Sequence, residues 1–247
     1  MIIIGRNPIN EILRVHPESV KEITLLDSLK DSDKLKEIFK LTTKFKITVK
    51  RTDKHNFSKL FEPKDKSEGI SQGIIAETEE FKYFDENEFY QLLSKKDNPL
   101  LLILDEIQDP HNLGAIIRTG AAVGVDGIII TEKNSVKINH TVIKSSSGSI
   151  FGQKIVLSGN IYKSIETLKK LKIRLIATSL SANTSHFKTD FKSSCAILLG
   201  NEQKGIRKNL LKLCDEVIKI PIPGKAESLN VSVSAGVILY EALRQRS

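Results

Sequence analysis

The side chains in this chain with the type and placement for chemistry are not of the most familiar kinds. Its five histidines are scattered, with no HExxH and no paired CxxC, so a metal centre is not expected. There is no GxxxxGK[ST] phosphate loop, and nothing resembles a nucleophile elbow. The glycines of GAAVGVDG, Gly120–Gly127, lack the GxGxxG spacing after a strand that a dinucleotide site needs. What remains are polar groups set into apolar stretches. In Asp105–Thr119 (DEIQDPHNLGAIIRT), Arg118 and Thr119 are the clear polar members of a helical run from Leu113 to Val125 that is otherwise small or aliphatic. An arginine there is costly unless it is paired or functional. Two readings stay open: a structural ion pair with Asp105 or Glu106, or a cation facing a cleft. Asn112 precedes Arg118 by six positions and does not share its helix face, so it is read as a loop residue or a helix cap. His111 is expected to be a loop residue without a role.

Two further segments have the same character. In Cys195–Ile206 (CAILLGNEQKGI) a buried strand runs into Gly200, Asn201 and Glu202. Glycine at a strand end permits a ligand to approach the backbone closely, and Glu202 sits in the turn beyond it. Solvation in that turn is the plain alternative. In Ile220–Tyr240 (IPIPGKAESLNVSVSAGVILY) a proline-bearing loop leads into a helix with Ser228, Asn230 and Ser232 at its start and an apolar body after it. Ser228 can serve as the cap, while Asn230 and Ser232 are poor helix formers well placed to hydrogen-bond a ligand. Together these groups offer amides, hydroxyls, a carboxylate and a cation: equipment for binding, orienting and stabilising charge.

The elements that must position them follow from periodicity. Continuous apolar runs at Leu100–Leu104, Gly127–Thr131, Arg174–Ala177, Cys195–Leu199 and Val217–Ile220, with helical patterns between, predict a parallel sheet covered on both faces. All three polar segments then fall at strand ends, where open α/β sheets place ligands. Residues 1–77 predict a smaller α/β unit. Its strands are Ile2–Ile4, Glu22–Leu26, Phe45–Val49 and Ser71–Glu77, and its helices run over Pro8–Val15 and Asp33–Leu41. Residues 78–97 read as a connecting helix or linker, or equally as an integral surface helix, and the second domain spans 98–247.

The 247 residues suffice for one large domain or two small ones. The formal net charge of +8 favours a polyanionic partner, although solubility alone also accounts for it. Two cysteines, Cys195 and Cys214, in apolar surroundings are expected to be buried thiols rather than a disulfide framework. The N-terminal apolar run is too short for a signal peptide or a membrane span, so a cytoplasmic location is expected.

The segments NLGAIIRT, LLGNEQKGI and IPIPGKAESLNVSVSAGVILYE resemble, in order and spacing, the three motifs of the SpoU (TrmH) family of RNA 2′-O-ribose methyltransferases, within the SPOUT superfamily. The likeness spans residues 100–247. It implies an α/β domain with a deep trefoil knot that holds S-adenosylmethionine, working as a homodimer. The family's motif residues fall on Asn112, Arg118, Glu202, Ser228 and Asn230. Its cofactor contacts, largely main chain, fall on Gly200, Ile220 and Leu229, with Thr178 as a weaker carry-over. The N-terminal unit is similar to the small L30e-like RNA-binding domain of some members, above all the bacterial branch that modifies a guanosine of 23S rRNA. The implied partner is therefore RNA, ribosomal first and transfer RNA second, with neither DNA nor membrane.

The resemblance also implies a mechanism. A ribose 2′-hydroxyl is a very weak acid, so its proton must be taken or the developing alkoxide stabilised. A guanidinium keeps its proton below about pH 12, which favours a cationic Arg118 as stabiliser over Arg118 as base. Glu202 is expected to pair with Arg118, Asn112 and Asn230 to orient Arg118 or the ribose, and Ser228 to bond the cofactor or anchor its loop. Deleting residues 1–77 is expected to spare the remaining fold and weaken RNA binding. A non-catalytic RNA-binding protein is the competing reading, to be separated by a cofactor titration. A Rossmann-type enzyme is disfavoured by the missing glycine fingerprint.

Overall fold

The computed structural model describes residues 1–60 and 72–247. The chain divides into two compact units: Met1–Phe81 with Ile138–Gly152, and Lys82–Lys137 with Gln153–Ser247.

The first unit holds β1 (Ile2–Ile4), α1 (Arg6–Val15), β2 (Val20–Leu26), α2 (Asp33–Phe45), β3 (Thr48–Thr52), α3 (Lys54–Lys59) and β4 (Ile74–Thr78). Its sheet has the order β1-β4-β2-β3, with only the β2–β3 pair parallel. Helix α1 buries Ile9, Ile12 and Leu13, and α2 buries Leu35 and Ile38. The third strand comes later than its Phe45–Val49 pattern predicts. Helix α2 continues through Phe45 and stops at Lys46, whose left-handed backbone (φ 56) turns its N–H back to Thr42 and Thr43. The alternation in FKITV is thus split between a helix end and a strand start. Ser71, the first residue of the predicted fourth strand, lies outside the described residues.

The second unit begins with α4 (Glu86–Leu93). It continues through β5 (Leu100–Asp105), α5 (Pro110–Val123) and β6 (Gly127–Thr131). Helix α6 (His140–Ser145) then falls in the first unit. Strand β7 (Ile155–Ser158), α7 (Ile161–Lys170), β8 (Arg174–Thr178), β9 (Thr184–Ser185), β10 (Cys195–Gly200), α8 (Lys208–Leu211), β11 (Glu216–Lys219) and α9 (Val231–Arg246) complete it. The stretch 78–97 is not a bare linker, because Phe89 and Leu93 of α4 are buried in the core of this unit.

All seven strands of the second sheet are parallel, in the order β7-β6-β5-β10-β8-β11-β9. Alternate residues along β5 face opposite layers. Leu101 and Ile103 join α4 and α7 in one apolar cluster, while Leu102 faces Gly120 of α5. Helix α9 packs against α5 on that side. Parallel strands covered on both faces must be apolar throughout, and Leu100–Asp105 is buried at every position. Both cysteines are free thiols: burial raises that of Cys195, and burial with help from Asp215 pushes that of Cys214 up to about 11. Among the described residues no helix is long and apolar enough to cross a membrane.

Candidate active site

The site is built where three chain segments, distant in sequence, meet at the carboxyl edge of the second sheet. The first enters at the start of α5. Asp109 caps this helix, its carboxylate accepting the His111 N–H at 2.9 Å, and Pro110 opens it. Asn112 is therefore inside the first turn, neither the loop residue nor the cap that its spacing suggested. With that turn already capped, its carboxamide is free to reach outward.

Both ends of the Asn112 amide are engaged by the other two segments. Its Nδ2 donates to Glu202 Oε1 at 2.9 Å, and its Oδ1 accepts from Asn230 Nδ2 at 3.0 Å. Asn230 in turn caps α9: its Oδ1 accepts from the N–H groups of Ser232 and Val233, at 2.9 and 3.4 Å, and from the Ser232 hydroxyl at 2.6 Å. Ser228, the other candidate cap, is exposed and makes no hydrogen bond among the described residues.

Glu202 rides on a tight turn after β10. Asn201 holds that turn together, accepting from the backbone of Gln203 and Lys204 and donating to the Glu106 carbonyl at 2.9 Å. The turn doubles back so closely that a Cβ on Gly200 would lie 2.4 Å from Gly205 C and Ile206 N. A side chain at Gly200 is thus excluded by the chain's own backbone.

Arg118 stands apart from this network. It is exposed on α5, and its side chain has no ion pair or hydrogen bond among the described residues. Its expected partner Glu202 is bonded to Asn112 instead. Asp105 and Glu106, its alternative partners, are taken by Arg207, a residue the sequence reading missed. The Arg207 side chain donates to both carboxylate oxygens of Asp105 at 2.5–3.2 Å and lies 3.6 Å from Glu106, and its backbone N–H also bonds Asp105. Asp105 is buried, with its side chain 1% exposed. Desolvation draws the Arg207 pKa down, but the hydrogen bonds and charge of Asp105, then Glu106, outweigh it and leave the pKa raised. The signal was available: an acid ending an all-apolar strand needs a counter-ion.

The remaining candidates line the carboxyl edge of the sheet. Gly200 ends β10 beside Thr178, which ends β8 and donates its hydroxyl to the Leu198 carbonyl at 3.3 Å. Ile220 directly follows β11, and half-buried Leu229 directly precedes the Asn230 cap.

The family profile of SpoU rRNA methylases matches residues 99–240, which contain every one of these groups. The chain belongs to the SpoU rRNA methylase family. A second profile, for the substrate-binding domain of RNA 2′-O-ribose methyltransferases, matches residues 2–84. Two curated relatives are similar along nearly their whole length, both named 23S rRNA (guanosine-2′-O-)-methyltransferase RlmB. That of Shewanella oneidensis is 34% identical over 99% of this chain and 97% of its own. That of Escherichia coli K12 is 31% identical over 100% and 99%. In fold, this SpoU methylase superposes on the SpoU methyltransferase AviRb from Streptomyces viridochromogenes with a TM-score of 0.80, at 23% identity over 100% of this chain and 89% of that one. The SpoU profile covers the second unit's strands from β5 onward, and the relay Asn230–Asn112–Glu202 ties together segments from across that match.

Proposed function

We propose that this chain methylates a ribose 2′-hydroxyl of 23S rRNA, at a guanosine, with S-adenosylmethionine as donor. The observation that carries the reading is the hydrogen-bond chain from Asn230 through Asn112 to Glu202, which fixes the starts of α5 and α9 against the turn after β10. The cofactor would lie against Thr178, Gly200, Ile220 and Leu229. Their chemistry suits it: main-chain groups at three strand ends, two aliphatic side chains for a flat base, and no charge at the four positions to repel a sulfonium. When bound, the cofactor supplies a methyl group already activated by positive charge.

The protein's task is then the weakly acidic hydroxyl. Arg118, exposed and with no side-chain partner among the described residues, is the cation assigned to the developing alkoxide. Asn112, Glu202 and Asn230 act on position: each amide or carboxylate holds the next, so that little rotational freedom remains to be lost on binding. Ser228, free and exposed beside Leu229, is assigned to the donor or its loop. The domain carrying the motifs is read as a deep trefoil knot and the working form as a homodimer in the cytoplasm. Val233 and Tyr240, exposed seven residues apart on α9, support a partner copy there. The first unit is read as an L30e-like RNA-holding domain.

The test pairs two measurements on Arg118→Ala. Methyl incorporation into rRNA is expected to fall by about a hundredfold or more, the scale of one lost charge-stabilising donor, with cofactor affinity retained. Near-normal turnover would remove Arg118 from the mechanism.

A further inference from the structure

A concavity lies in the second unit, at the carboxyl ends of β6 and β7, and uses none of the motif residues. Its volume is 260 Å³, and Glu132, Lys133, Ser158, Asn160, Tyr162 and Arg207 are among its lining. That is just under the range of about 300–1,000 Å³ typical of drug-sized ligands, so it suits a single flat ring system.

Several of its polar groups are already committed inward. The Ser158 hydroxyl bonds Ser164 at 2.7 Å, and Asn160 Oδ1 caps α7, accepting from Tyr162 and Lys163. Others remain available. The Glu132 carboxylate has no ion pair or hydrogen bond among the described residues, the Asn160 Nδ2 is undonated, and Tyr162 is 43% exposed. Arg207 is held rigidly by Asp105 while lining the pocket.

Charge decides the ligand class. Arg207 and Lys133 are opposed by Glu132 and by the two acids that hold Arg207, Asp105 and Glu106, so cations do not prevail. A phosphate is poorly served by such a site. A neutral planar group with hydrogen-bond donors along one edge is well served. Guanine has that form: two adjacent N–H donors for a carboxylate, and a π-face for a tyrosine.

We infer that this pocket seats an unstacked guanine of the substrate RNA, with Tyr162 as the stacking face and Glu132 accepting from the base's N1–H and N2–H edge. The inference rests on the methyltransferase reading above and adds a specificity subsite to it. Arg207 links the two regions, since it follows the turn that carries Glu202.

The full-length protein tests this with Tyr162→Ala, Tyr162→Phe and Glu132→Gln, all at exposed positions. Methyl transfer to a 23S rRNA transcript and S-adenosylmethionine binding are measured for each. Tyr162→Ala and Glu132→Gln are each expected to raise the KM for RNA about tenfold, the scale of one lost base–aromatic contact, with cofactor affinity unchanged. Tyr162→Phe, which keeps the aromatic face, should recover most of the RNA KM lost in Tyr162→Ala. A transcript carrying 6-thioguanosine should crosslink, on irradiation, to the peptide containing Tyr162. Unchanged KM in both variants, or crosslinks confined elsewhere, overturns the subsite. So does a KM raised by Lys133→Ala but lowered by Glu132→Gln, which marks a phosphate site. If the unaltered protein transfers no methyl group and binds no S-adenosylmethionine, the methyltransferase reading itself fails, a different result from normal transfer with insensitive variants.

Discussion

Asn112 can join three segments because one carboxamide carries both a donor and an acceptor, and each faces a different partner. Its replacement by aspartate keeps the shape and inverts the donor end. A carboxylate then faces Glu202 where an N–H had pointed, and the pair repels. Asn112→Asp is expected to lower stability by about 1–3 kcal/mol at neutral pH, the range for leaving such groups unsatisfied, and to cut methyl transfer strongly. The two carboxylates would push one pKa of the pair above the usual carboxylate range. Acidification therefore restores the missing proton between them, and the variant's melting temperature should recover relative to the parent as pH falls from about 7 toward 5. A variant whose deficit is independent of pH would show that the Asn112–Glu202 bond carries no weight. The Asn112–Glu202 bond was not legible in the sequence. It depends on β10 lying beside β5 in register, Gly200 opposite Asp105, which sets the turn after one strand against the helix after the other. Spacing along the chain says that Glu202 and Arg118 are both polar and both near a strand end. It does not say which of them a neighbouring amide will claim first.

At the scale of elements, legibility follows burial. Strand β6 occupies the residues its apolar run predicts, and β5, β8 and β10 each extend one residue past theirs, because strands covered on both faces leave an uninterrupted signal. Strand β9, only two residues long, is too short to stand out; β7 is not among the predicted runs although it matches β11 in length, four residues each. Helix starts are the finest detail lost: the cap is Asp109, three residues before Asn112, and that shift turns a capping residue into a bridging one. The end of α9 has its own device. Glu241 accepts from Arg244 at 2.7 and 2.8 Å and from Gln245 at 2.8 Å, while Gln245 also bonds the backbone of Thr189 and Phe191. The Arg244 hydrogen bonds, then that of Gln245, bring the Glu241 pKa down to about 2 from an ordinary 4.5. A carboxyl depressed on folding contributes stability that is fully present above its unfolded pKa and is lost as pH falls through the folded one. Between about pH 5 and 2 the parent's melting temperature should therefore fall more steeply than that of Glu241→Gln, with the two slopes converging at neutral pH. Parallel curves across that window would show that the contact adds nothing to folding.

The whole molecule departs most from its linear reading at the boundary between units. A cut at residue 77 treats the first unit as one continuous stretch, but residues 138–152 also belong to it. Within that unit α6 contacts β1, and the 3-10 turn at 149–152 packs on α1. The fit is close: a Cβ on Gly148 would sit 2.6 Å from Pro8 Cα, and the rings of Phe81 and Phe151 lie 6.5 Å apart. Ile143, Ile150 and Phe151 are buried by this arrangement, at 1%, 0% and 7% exposure. Nothing local in INHTVIKSSSGSIFG announces a return to a unit whose main body ended some sixty residues earlier, because the partners that bury it are remote in sequence. Removing residues 1–77 therefore does more than delete an RNA-holding module. It uncovers three large apolar side chains, each worth about 1.5–3 kcal/mol when buried. The simple truncation is expected to melt lower than the parent and to associate on gel filtration. A second truncation, with 138–152 also replaced by a Gly/Ser linker of equal length, removes those side chains and should stay monodisperse, bind S-adenosylmethionine and hold rRNA less tightly than the full chain. Equal solubility and melting of the two truncations would show that the excursion contributes nothing to either unit, and undiminished rRNA affinity in the second would take RNA binding away from the first unit.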